Sequence, residues 1–332
     1  MLNSLINLHD FVALYEKITK QKSFDVIVKL FGNKKRRVKS AWSHVSKNSF
    51  HWWDIPQVNE RCNLLITGSK EVEHFTYISQ KYLNHKNNLK GISLGCGSGN
   101  REIKWVQACE TLNLVGYDIS KERINQAKEN AVKNNLDKRL KFELADVYSC
   151  DFGVNKYDLI IFEGSLHHFH SLHMLVERVK IGLKQNGILI VNEYVGPLRF
   201  QWTDRQMEII NGLLMILPNE YKKKFFNNKI KHRVYRPGRL TMYLSDPSEA
   251  VESNLIEECL SKNFKIVEKK IYGGTILQNL FKDIAHNFIN EEQKTKDLIQ
   301  LIFTIEDEMM QRGDISSDFI FFVCKQQNNE EV

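Results

Sequence analysis

The residues of this chain best suited to chemistry recur along one stretch, from Ser93 to Glu193. Three glycines alternate in Gly95-Cys96-Gly97-Ser98-Gly99, directly after the apolar run Gly91-Ile92-Ser93-Leu94. Glycine tolerates positive φ and has no Cβ, so a ligand can lie against the backbone there. The helix expected from Asn100 would present unpaired N–H groups to it. This is a nucleotide-type cradle. A dinucleotide fingerprint wants G-x-G-x-x-G; here the last required position falls on Asn100 and the third glycine comes one residue early, which disfavours NAD and FAD. Acids recur downstream at Asp118, Asp146, Glu163 and Glu193, each at the end of a short apolar run. His167 and His168 follow the run that Glu163 closes, and imidazole titrates near neutral pH.

The elements that must position these residues follow from the same runs. Arg101 to about Glu110 reads as a helix and Leu114–Tyr117 as a strand ending on Asp118. A second helix starts after Ser120, a suitable N-cap, with Ile124, Ala127 and Ala131 on one face. Strands follow at Leu140–Leu144, closed by Ala145-Asp146-Val147, and at Tyr157–Phe162, closed by Glu163. A helix over Met174–Leu183, a turn over Lys184–Gly187 and a fifth strand over Ile188–Val191 complete the alternation. Strands alternating with helices predict an α/β fold with a parallel, doubly wound sheet. Ligands bind outside the carboxyl ends of such strands. Asp118 is therefore placed to accept hydrogen bonds from both ribose hydroxyls of an adenosine, and Asp146 to bond the adenine amino group.

In order and spacing, Gly95-x-Gly97-x-Gly99, Asp118, Ala145-Asp146, Leu166-His167-His168 and Asn186-Gly187 resemble the successive motifs of class I S-adenosylmethionine (SAM) dependent methyltransferases. The resemblance covers about 89–193. It implies a Rossmann-like, seven-stranded sheet with an antiparallel seventh strand, candidates for the sixth and seventh being Lys265–Ile271 and Phe319–Val323. It implies SAM as cofactor and S-adenosylhomocysteine as product, with cofactor contacts from Ser93, Gly95, Cys96, Gly97, Gly99, Asp118, Ile119, Asp146, Val147 and Glu163. Ser93 departs from the pattern, because family members usually carry an acid two residues before the first glycine. A hydroxyl acceptor needs its proton removed during attack, so His167, His168, Glu193 and His286 are the candidates for base or orienting duty.

Length and composition bound the rest. The chain has 332 residues, 42% hydrophobic and 26% charged, with no apolar run long enough to span a bilayer. Its first ten residues lack a basic region followed by an apolar one, so the expectation is a cytoplasmic protein. Cysteines 62, 96, 109, 150, 259 and 324 form no C-x-x-C pair, which argues against a zinc site and against a disulfide framework. The nearest histidine grouping, His167, His168, His170 and His173, straddles a strand end and a helix start, and no metal set is read from it. The net charge of +7 is concentrated: Tyr221–Ser245 contains no acid but eight lysines and arginines. That run is either a solvated face or a site for a phosphate-bearing substrate or an anionic membrane surface. A second basic cluster runs over Lys34–Lys39.

The expected organisation is a helical N-terminal cap (1–88), with an apolar stripe of Leu5, Leu8, Phe11, Val12 and Tyr15, then the first part of a SAM-binding core (89–193). A substrate lid insertion (194–262), the core's completion (263–326) with a helical insertion (275–312), and a polar tail (327–332) follow. Arg199, Arg233, Arg236 and Arg239 are candidates for an anionic group on the substrate, because guanidinium pairs bidentately with phosphate or carboxylate. Trp53-Asp54-Ile55-Pro56, Ile66-Thr67-Gly68 and Asn192–Pro197 resemble bacterial methyltransferases of glycan or small-molecule assembly, which implies O-methylation of a sugar, sugar nucleotide or surface glycan. An N- or C-methyltransferase of a small metabolite, and a non-catalytic SAM-binding scaffold with a basic nucleic-acid or membrane-binding insertion, stay open. Nucleic acid is the less favoured partner, because the aromatics over Trp42–Trp53 are not interleaved with arginines. Oligomeric state is not legible.

Overall fold

The computed structural model describes residues 50–84, 87–239, 242–243 and 246–327. The apolar stripe of Leu5–Tyr15, the basic cluster Lys34–Lys39, most of the aromatic stretch before Phe50 and nearly all of the polar tail lie outside the described residues.

Seven strands form one sheet in the order β3-β2-β1-β4-β5-β7-β6. They are β1 (Leu89–Leu94), β2 (Leu112–Asp118), β3 (Leu140–Leu144), β4 (Tyr157–Glu163), β5 (Leu183–Tyr194), β6 (Phe264–Gly273) and β7 (Phe319–Gln326). β1 to β5 pair in parallel, and β7 runs antiparallel to both its neighbours. The strand reversal between β1 and β4 opens a crevice at the carboxyl edge.

Alternate residues of each strand feed opposite cores, as the pleat requires. Leu159 and Ile161 join one cluster, Ile160 and Phe162 the other. The first face is covered by α1 (Pro56–Thr67), α3 (Asn100–Ala108), α4 (Lys121–Lys133), α6 (Asp204–Ile216), α8 (Leu277–Phe281) and α9 (Gln293–Gln311). The second carries α5 (Leu172–Gly182) and α7 (Ile256–Asn263). A short helix, α2 (His74–Ile78), precedes β1. Ser120 caps α4, its Oγ accepting from the Arg123 N–H. Thr203 caps α6 in a reciprocal box with Gln206.

One expected turn is absent. Lys184–Gly187 belongs to β5, whose Leu183 pairs with Tyr157 before the register jumps to Leu159 opposite Ile188. The extra residues are absorbed as an irregularity, and Gly187 is where the strands crowd: a Cβ there would lie 2.9 Å from the Tyr157 carbonyl.

α1 and the 275–312 insertion are fastened by a buried polar network. Arg61 of α1 pairs with Glu306 of α9 at 3.2 Å and donates to the Tyr272 carbonyl. Glu306 in turn accepts from the N–H groups of Gly274, Ile276 and Leu277, satisfying the start of α8. Lys231 reaches the other end of α8, donating to the carbonyls of Asn279, Leu280 and Lys282. Both segments thus belong to the body of the fold.

Candidate active site

At the carboxyl edge of β1, β2 and β4 lies a cleft of about 710 Å³, within the range of small-molecule sites. Its floor is the glycine turn. Gly95, Gly97 and Gly99 all have positive φ, at 80°, 55° and 79°, which the sharp passage from β1 into α3 imposes and which side chains resist. A Cβ on Gly95 would lie 2.7 Å from that of Ser165, and one on Gly99 2.5 Å from the Phe142 ring. The turn is held shut by Asp118 at the end of β2. Its carboxylate accepts from the Gly97 N–H at 2.9 Å and the Ser120 N–H at 2.8 Å. Burial raises the Asp118 carboxyl, and those two donors and Arg123 work against the rise. Ile119, Asp146 and Val147 continue the same wall, with Cys96 beside the turn.

Glu163 lines the inner end. Its Oε1 lies 2.9 Å from His74 Nε2 and accepts from Trp105 Nε1 at 3.0 Å, and its Oε2 accepts from Asn192 at 3.1 Å. Burial favours its neutral form, but these partners outweigh burial and hold it below the usual carboxylate range. Tyr272 donates to Asn192, so the chain of bonds runs from the cleft to Arg61 and Glu306.

The methyltransferase domain family matches over residues 85–288, more than half of the chain. The chain belongs to that family. Its cofactor is S-adenosylmethionine, and the cleft of this methyltransferase fits that group: a turn that side chains would fill, a carboxylate at the β2 edge and room for cofactor and acceptor. Among relatives, 27-O-demethylrifamycin SV methyltransferase of Amycolatopsis mediterranei is 25% identical over 104 residues, 31% of this chain and 38% of that one. Demethylmenaquinone methyltransferase of Bacteroides fragilis is 27% identical over 125 residues, 38% and 50% of the two chains. The matches span half or less of these relatives' lengths. Geranyl diphosphate C-methyltransferase from Streptomyces coelicolor A3(2) superposes with a TM-score of 0.49 at 9% identity, covering 90% of this chain and 99% of that one.

Not every residue singled out in the sequence reaches the cleft. Ser93 is buried beneath it and its Oγ donates to Glu102 Oε1 at 2.6 Å. Neither Ser93 nor Glu102, which comes from α3, lines the cleft. Burial pushes Glu102 up to about 7. Glu193 is wholly buried and accepts from the backbone N–H groups of Ser165, Leu166 and Tyr194. It thereby shapes the turn after β4. His167 is clasped between carboxylates, Nδ1 at 2.5 Å from Glu193 and Nε2 at 3.4 Å from Glu249. Burial opposes its charge, but the two acids prevail and raise it to about 10, so this imidazolium has no free lone pair to act as base. His168 does line the cleft. Burial, then the neighbouring His167 charge, lowers it to about 3.

His286 stands apart with Phe50 and Phe225. Arg199 donates to the Glu249 carbonyl, Arg236 pairs with Asp204, Arg233 lies over Tyr235, and Arg239 is exposed. None of these lines the cleft. From the 194–262 insertion the cleft takes Pro247, Ser248 and Val251, and from 275–312 nothing among the described residues.

Other lining residues were not among the predicted site residues, although Trp53 and Asp54 belong to a stretch that carried the narrower resemblance. His51, Trp53 and Asp54 come over the mouth from the segment before α1, with Trp53 stacked on His51 and the Arg101 guanidinium 6.0 Å from its ring. On the opposite side Tyr148 stacks on His170 and donates to its carbonyl.

Proposed function

We propose that the protein transfers a methyl group from SAM to a hydroxyl of a small, sugar-like acceptor. The observation that carries this reading is the make-up of the wall facing the glycine turn. The lining of the cleft brings the indole of Trp53, stacked on His51, together with Asp54, His168 and Ser248, so an apolar ring and several groups that bond hydroxyls share one cleft. Asp118 binds the ribose, Asp146 the adenine edge, and the backbone of Gly95 and Gly97 borders the methionine end. Arg101 and Glu163 flank that end with opposite charges.

Bound SAM supplies an electrophilic methyl, so the protein's task is alignment and exclusion of water. His168 is the member of the histidine pair that lines the cleft; no side chain is assigned as base, and the hydroxyl proton passes to solvent as the acceptor oxygen takes the methyl and S-adenosylhomocysteine leaves. The test is calorimetric titration with S-adenosylhomocysteine, then sugar, sugar-nucleotide and glycan acceptors with methyl-labelled SAM. A methyl ether product supports the reading. Label found only on nitrogen or carbon, or cofactor binding without turnover on any such acceptor, overturns it.

A further inference from the structure

His167 and His168 leave the end of β4 in a single helical turn, and Glu249 arrives from the far insertion. One donor atom from each lies within 4.8 Å of the other two. The 3.4 Å from His167 Nε2 to Glu249 Oε1 is the edge of a tetrahedron whose centre is about 2.0–2.1 Å from nitrogen and oxygen donors. We propose that His167, His168 and Glu249 bind one divalent transition-metal cation of zinc's class at the side of the cleft.

The surroundings favour this. Metal-ligating histidines carry a carboxylate or carbonyl on the other ring nitrogen, which fixes tautomer and orientation. Glu193 stands there on His167 Nδ1, itself immobilised by the Leu166 and Tyr194 N–H groups. The His168 ring is steadied by the Ser248 backbone. Asp246 adds a third carboxylate to the neighbourhood, its Oδ1 fixed by the Ser248 N–H and hydroxyl. Two imidazoles and a carboxylate suit zinc, cobalt, nickel or iron, whereas magnesium and calcium prefer oxygen throughout. Three protein ligands leave a further position, and His168 places it on the cleft. The competing occupant is a proton, held on His167 between Glu193 and Glu249.

The proposal needs neither SAM nor acceptor for its test. The full chain, stripped with a chelator, is titrated with Co²⁺ near neutral pH and then with Zn²⁺. Expected are visible ligand-field bands saturating at one equivalent, displaced by Zn²⁺. Glu249→Gln should weaken binding by about a hundredfold, and Glu193→Gln by about 10–100-fold, both with unchanged far-ultraviolet dichroism. X-ray absorption of the zinc-loaded wild type, which requires no variant to fold, should show nitrogen and oxygen neighbours with imidazole scattering. No band at one equivalent leaves His167 to its proton and overturns the proposal. So does binding unaltered in a folded Glu249→Gln variant, or sulfur in the zinc sphere, which would move the metal to a cysteine.

Discussion

The two walls of the cleft are built in opposite ways. The wall proposed for the cofactor comes from strand ends in immediate succession: the glycine turn after β1, Asp118 after β2, Asp146 after β3 and Glu163 at the end of β4. The wall proposed for the acceptor is gathered from three distant places, Trp53 and its neighbours before α1, His168 after β4, and the 247–251 loop between α6 and α7. A wall made of strand ends is fixed once the sheet is fixed. One made of additions can change while the sheet stays the same, so the two should respond differently to substitution.

Asp118→Ala gives the largest effect. It removes the carboxylate that closes the glycine turn and that is proposed to bind the ribose, at about 1.5–3 kcal/mol for each charged hydrogen bond. S-adenosylhomocysteine affinity should fall by about a hundredfold or more in calorimetry; a loss under threefold breaks the assignment of this wall. Gly99→Ala tests whether the wall's rigidity comes from the sheet. Its Cβ meets Phe142 at 2.5 Å in a backbone conformation with φ near 79°, so a cost of about 2–3 kcal/mol is expected, read as a melting temperature several degrees lower.

Trp53→Ala probes the other wall. The expected outcome is acceptor KM raised about tenfold, roughly 1.4 kcal/mol, with S-adenosylhomocysteine affinity within twofold of wild type. Equal losses for both ligands would show that the walls are not separable. The smallest effect is at Glu102→Gln. Burial raises the native carboxyl from its ordinary 4.5 to about 7, so the folded state holds a proton that the unfolded chain releases earlier. Stability is therefore lost as pH rises from about 4.5 through 7. The glutamine variant, neutral throughout, should melt a few degrees higher than wild type at pH 8 and without that gain at pH 5.

How far the sequence could be read follows the same division. Short apolar runs closed by the glycine turn or by an acid located every strand that supports the cofactor wall, and Ser120 announced its helix. β5 was read short because Asn186-Gly187 is turn chemistry, yet pairing to β4 carries the strand through it with a local irregularity. The missing acid at Ser93 was visible; its hydrogen bond to a buried Glu102 was not, since a glutamate on the first turn of a helix reads as solvated. The basic run suggested a substrate site, but Arg236 is bound to Asp204, Lys222 to the Leu214 carbonyl and Lys231 to the end of α8. Charge alone does not say whether a cation faces a ligand or a helix end. Glu249 carried no local signal, because only the fold brings it to His167.

The place of β7 bears on the order in which this protein can be made. It lies between β5 and β6, bonded to each along nearly its whole length, so β6 has no partner in the sheet until β7 has been made. The loop that carries Pro247, Ser248 and Glu249 leads through α7 into β6. The strand ends of β1 to β4 can therefore be set before β7 exists, while the 247–251 loop is fastened to the sheet only once β7 has joined it.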